Sequence, residues 1–268
     1  MNDLINGFRM AYDDNGRGPA VLLIHGFPLN RRMWHPQTET LAAAGYRVIT
    51  PDLRGLGESD VPANGYSMDL FADDMIALLD HLGIERAVVG GMSMGGYVLL
   101  NMLERHRERI AAACFIVTRS GADDEAGKAK RLAMARDATT IGTQVVADIF
   151  GKLLFADETA QKRPEIVTEV AGWMRAADPA GVAGALLAMA GRKDSTPLLE
   201  NLPIPALVIG AEEDRAMPLE NVRIFTEALP QSTSCIIPGA GHMVNMEQPE
   251  AFNACLLKFL KGIAGYRR

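Results

Sequence analysis

The chain has 268 residues, 48% of them hydrophobic and 22% charged, a size and balance that suit one α/β domain carrying an insertion. Its formal charge of −6, with no basic block, argues against nucleic acid and anionic membrane surfaces as partners. No apolar run reaches the roughly 18 residues of a membrane span, and Met1-Asn2-Asp3-Leu4-Ile5 lacks the basic and apolar regions of a signal peptide, so a cytoplasmic protein is expected.

Along the chain, Ile5 to Tyr12, interrupted by Asn6-Gly7, reads as an antiparallel edge hairpin. Short apolar runs at residues 20–24, 46–50, 86–90, 112–117, 206–210 and 233–237 read as buried strands. Helical patterns fall between most of them. Asp69 to Leu82 carries Leu70, Met75, Leu78 and Leu79 on one face, and Ala251 to Ile263 carries Phe252, Leu256, Phe259 and Leu260. Strands alternating with helices predict a mostly parallel sheet covered on both faces.

Residues 121–197 break the alternation. They hold no convincing strand, several helical patterns and helix-start signals at Arg163-Pro164 and Asp178-Pro179. The expected organisation is therefore an α/β core of residues 1–120 and 198–268, with a helical cap of residues 121–197 over the strand ends, where open α/β sheets bind ligands.

The chemistry centres on Gly91-Met92-Ser93-Met94-Gly95, a G-x-S-x-G pentapeptide between an apolar strand and an apolar helical pattern. Glycines on both sides let a sharp turn close and leave the serine hydroxyl projecting from the sheet. With seven serines and 26 glycines, chance yields roughly 0.07 such motifs. A nucleophilic serine needs a base, and His242, in the loop Pro238-Gly239-Ala240-Gly241-His242-Met243, is the one histidine after residue 106. His81 and His106 sit in polar helix-end contexts and read as surface residues. Asp214, 28 residues before His242 and past the strand at 206–210, is the candidate orienting acid; Glu212 and Glu213 are its rivals. His25-Gly26-Phe27-Pro28 follows the first buried strand, and the Phe27 and Met94 backbone N–H groups are the candidate oxyanion donors. His25 itself reads as a loop-packing hydrogen-bonding residue. Trp34, Met92, Phe150, Leu154 and Trp173 are candidate pocket residues, and Arg119 faces either an acidic substrate group or a surface salt bridge.

Three cysteines, Cys114, Cys235 and Cys255, form no C-x-x-C pair and predict reduced thiols; no ligand cluster suggests a metal.

Taken together, His25-Gly26-Phe27-Pro28, Asp52-Leu53-Arg54-Gly55-Leu56-Gly57-Glu58-Ser59, Gly91-Met92-Ser93-Met94-Gly95-Gly96, Asp214 and Gly241-His242 resemble the α/β-hydrolase superfamily in order and spacing. The likeness runs over nearly the whole chain. It is greatest to small-molecule carboxylesterases, 3-oxoadipate enol-lactonases and cofactor-free haloperoxidase or perhydrolase-like esterases. The resemblance implies an α/β-hydrolase fold and a cofactor-free serine hydrolase that cleaves small esters or lactones through an acyl-enzyme. Perhydrolase chemistry on the same triad, C–C bond hydrolysis and a hydrolase-fold ligand sensor are the alternatives. Oligomeric state has no signature in the sequence.

Overall fold

The computed structural model describes residues 1–63 and 65–263; Asn64 and residues 264–268, the end of the expected core, lie outside it. A hairpin opens the chain. β1 (Asn2–Ile5) and β2 (Phe8–Gly16) pair antiparallel, with Ile5 opposite Phe8. Asn6 and Gly7 both take positive φ, at 46° and 84°, which is what a two-residue turn matching strand twist requires.

β3 (Ala20–Ile24), α1 (His35–Ala43), β4 (Arg47–Pro51), α2 (Met68–His81), β5 (Ala87–Met92), α3 (Met94–Arg105) and β6 (Ile110–Ile116) follow. α4 (Glu125–Thr140), α5 (Gln144–Phe150), α6 (Asp157–Lys162), α7 (Pro164–Ala176), α8 (Pro179–Ala190) and α9 (Thr196–Leu199) then come without an intervening strand. β7 (Ala206–Ala211), α10 (Glu220–Ala228), β8 (Ser232–Ile237), α11 (Val244–Glu247) and α12 (Pro249–Gly262) complete the described chain. Prolines open α7 and α8 where the sequence places them, because a first-turn N–H has no helical acceptor to lose.

The eight strands lie in the order β1-β2-β4-β3-β5-β6-β7-β8, parallel from β4 to β8. Alternation along β3 shows how the sheet is covered. Leu22 and Ile24 pack into one core with α2, α3 and Phe225 of α10. Val21 and Leu23 pack into the other with Trp34, Leu41 of α1 and Phe252 and Leu256 of α12. β3 has β4 on one side and β5 on the other, so chain order reverses there. A crevice at the carboxyl ends of strands is expected at such a reversal, here between Ile24 and Met92.

α4 and α8 pack on each other, and α8 also packs closely on the loop at Gly55. A Cβ on Gly181 of α8 would lie 1.7 Å from the Gly55 carbonyl oxygen, and one on Gly184 would strike the Tyr66 ring at 2.5 Å. Only glycine permits that approach.

The thiols correct one expectation. Cys235 and Cys255 form a disulfide, their Cα atoms 6.5 Å apart, while Cys114 is buried and free. β8 and α12 bring together two residues 20 apart in sequence, a proximity that spacing alone does not reveal. The cysteines therefore give no support to a reducing compartment. No helix among the described residues is long and apolar enough to cross a membrane.

Candidate active site

Ser93 stands between β5 and α3 with φ 51° and ψ −112°, an unusual backbone for any residue with a Cβ. Such a conformation costs on the order of 1–3 kcal/mol and persists only where neighbours hold it. Here the Ser93 N–H donates to Ile116 O at 2.9 Å, and its carbonyl accepts from Gly96 N at 2.9 Å and Thr118 Oγ1 at 2.7 Å. The turn is also closed sterically. A Cβ on Gly91 would lie 2.2 Å from Gly95 O, one on Gly95 2.3 Å from Ile24 O, and one on Gly96 2.3 Å from Thr118 Oγ1.

The loop after β3 lies against this turn. A Cβ on Gly26 would sit 3.4 Å from both Met92 O and Ser93 Cβ, so the backbone of residues 26 and 27 borders the serine. The Phe27 N–H has no hydrogen-bond partner among the described residues. Met94 opens α3, so its N–H has no carbonyl one turn behind it. Two donors thus remain free beside Ser93. His25, fully buried, holds the loop. Leu53 N–H donates to its Nε2 at 3.0 Å, which leaves Nδ1–H to donate to Gly26 O at 2.8 Å. Burial pushes its imidazolium pKa down, consistent with this neutral tautomer.

Asp214 and His242 come together from the ends of β7 and β8. His242 Nδ1 donates to Asp214 Oδ2 at 2.7 Å. The other Asp214 oxygen accepts from Ala216 N at 2.7 Å and Met217 N at 2.8 Å, which fixes the carboxylate plane. Both side chains are almost fully buried. Among the described residues it is Asp214 that His242 meets, while Glu212 accepts instead from Gly239 N at 3.4 Å. Glu247 braces the His242 loop from behind: its carboxylate accepts from Gly241 N and Ala156 N, each at 2.9 Å. Sequence reasoning missed Glu247, whose only signal is its place five residues after His242.

Ser93 opens into a cavity of about 160 Å³ with Phe27, Tyr97, Arg119, Arg131 and Phe150 in its walls. Phe27 and Phe150 meet edge-on, ring centroids 5.5 Å apart. Of the pocket candidates, Phe150 lines this space. Trp34, Met92 and Leu154 are fully buried in the core and are not among its walls; Trp34 packs on Phe252. Trp173 lines a separate cleft beside Pro28, Asn30 and Glu58. Nearness in sequence to a loop or a serine does not say which face a side chain takes. Tyr97 carried a usable signal, since position i+4 from Ser93 lies on the same helical face. Arg131 carried none. Among the described residues no three His, Cys, Asp or Glu side chains cluster as a metal site.

Residues 19–249 match the family model described as alpha/beta hydrolase fold. A thermophilic esterase from Thermogutta terrifontis, solved with malate bound, superposes with a TM-score of 0.95 at 36% identity over 98% of each chain. The non-heme chloroperoxidase CPO-A1 of Kitasatospora aureofaciens is 28% identical over 95% of this chain and 97% of its own. The 3-oxoadipate enol-lactonase 2 of Acinetobacter baylyi is 29% identical over 91% of this chain and 89% of its own. With a strained serine turn, a sheet of this order and a family match over most of its length, the chain belongs to the alpha/beta hydrolase fold family.

Proposed function

We propose that the protein is a serine hydrolase of small carboxylic esters or lactones. Ser93 Oγ attacks the carbonyl carbon while His242 Nε2 takes its proton. Asp214 holds the imidazole in the required tautomer and stabilises the imidazolium. The oxyanion is held by the Phe27 and Met94 N–H groups. His242 then protonates the departing alkoxide, an acyl-enzyme remains on Ser93, and a water deprotonated by His242 releases the acid. Residues 121–197 act as a cap that roofs the serine. The observation that carries this reading is the 2.7 Å His242–Asp214 hydrogen bond at the same sheet edge as the strained Ser93 turn.

The test is hydrolysis of p-nitrophenyl esters from acetate to decanoate by wild type and by Ser93→Ala. Turnover peaking at short acyl chains, as a cavity of about 160 Å³ favours, and lost in the variant supports the proposal. Turnover surviving in Ser93→Ala contradicts it. A second reading, peroxide replacing water in the deacylation step, is favoured by the likeness to a protein named a non-heme chloroperoxidase. Peroxide-dependent halogenation in acetate buffer separates it from simple hydrolysis.

A further inference from the structure

The wall of the Ser93 cavity is cationic, although the chain as a whole carries a charge of −6. Three arginines from three different segments converge on one carboxylate. Arg131 Nε lies 2.5 Å and Arg192 Nη1 2.7 Å from Asp123 Oδ2, and Arg119 pairs with Asp123 Oδ1. One negative charge therefore faces three positive ones. Arg192 stands back from the cavity: it donates to Met189 O at 2.9 Å and Gly121 O at 3.0 Å and lies 4.2 Å over the Tyr97 ring, while its buried Nε has no acceptor. Arg119 and Arg131 are the two that line the cavity, and among the described residues no Asp or Glu lines it with them.

Two donors at this wall also lack acceptors. Arg119 Nε is buried without a hydrogen-bond partner, and so is the hydroxyl of Tyr97, one helical turn beyond Ser93. Buried donors are normally satisfied. An excess of guanidinium charge with unfilled donor capacity is the arrangement that accepts a carboxylate, whose two oxygens match the planar fork of arginine. A hydrocarbon acyl chain would make no use of it.

Resting on the serine-hydrolase reading, we propose that the substrate is acidic: an ester or lactone that also carries a free carboxylate, held by Arg119, Arg131 and Tyr97 while its carbonyl meets Ser93. The carboxylate takes no part in bond making. It supplies binding and orientation, and hydrolysis yields a dicarboxylic acid and an alcohol, or a hydroxy diacid from a lactone.

The experiment compares kcat/KM by pH-stat for monomethyl glutarate and monomethyl adipate with methyl pentanoate and methyl hexanoate. The proposal expects the acidic esters to be favoured by about 10- to 100-fold, the range set by a hydrogen bond to a charged group. Arg119→Gln and Arg131→Gln should each lower the acidic-to-neutral ratio by about tenfold. Arg119→Lys should keep more of it than Arg119→Gln. Equal or better turnover of the neutral esters by wild type overturns the proposal without any variant. Calorimetric binding of glutarate and pentanoate to Ser93→Ala separates the two ideas. Preferential glutarate binding with no hydrolysis of any ester sustains the acidic site and defeats the hydrolase reading. Ser93-dependent hydrolysis of neutral esters with no glutarate preference sustains the hydrolase and defeats the acidic site.

Discussion

Gly95→Ala tests whether the serine turn and the loop after β3 form one rigid unit. The added Cβ would sit 2.3 Å from Ile24 O and 2.9 Å from His25 O. A carbon–oxygen contact needs about 3.3 Å, so the start of α3 and the end of β3 must part by roughly 1 Å. Both obstacles are backbone atoms and have no rotamer to change. That movement separates the Met94 N–H from the Phe27 N–H. A misplacement of about 1 Å costs on the order of 100-fold in rate, and overpacking a tight site costs about 1–3 kcal/mol of stability. Gly172→Ala is the control, because its Cβ meets nothing within 4 Å on an exposed turn of α7 and should stabilise by about 0.5–1 kcal/mol. The assay is p-nitrophenyl butyrate turnover alongside urea denaturation. A Gly95→Ala enzyme within threefold of wild-type kcat would mean that the turn and the loop move independently.

Asp214→Asn should lower kcat by about 10⁴ with little change in KM, since the amide no longer enforces the His242 tautomer. A loss under tenfold would leave Asp214 no orienting role. Glu247→Gln replaces one of two acceptor oxygens with an amide that faces a backbone N–H, so it should destabilise by about 1–3 kcal/mol in urea denaturation. Asp123 gives a pH signature. Burial pushes its carboxyl pKa up, but hydrogen bonds from Arg192 and Arg131 prevail and hold it at about 2, below its ordinary value of 3.8. A lowered folded-state value means its stabilisation is present above about pH 4 and fades as pH falls toward about 2. Asp123→Asn should cost about 3–5 kcal/mol at pH 7 by leaving three arginines without their carboxylate, and its deficit should shrink between pH 4 and pH 2.5. A deficit constant over that range would contradict the assignment.

The parts of the site that are local in sequence were legible in it. Gly91, Gly95 and Gly96 are required by backbone contacts inside one turn, and Pro164 and Pro179 announce the first turns of α7 and α8. His242 and Asp214 could be named because each follows an apolar strand that must end at the same sheet edge. What escaped depends on packing between distant segments. Arg131 reaches the Ser93 cavity only through the way α4 lies against α8, and Trp34 turns inward onto Phe252 although it is seven residues from Phe27. The Cys235–Cys255 disulfide has the same origin, since it is the docking of α12 on β8 that closes the gap.

The most direct test of the account is the site of covalent capture by a fluorophosphonate, read by intact mass and peptide mapping. One adduct per chain on Ser93, loss of esterase activity in step with labelling, and no adduct in Ser93→Ala are expected. An adduct on another residue, or full esterase activity with Ser93 labelled, would contradict it.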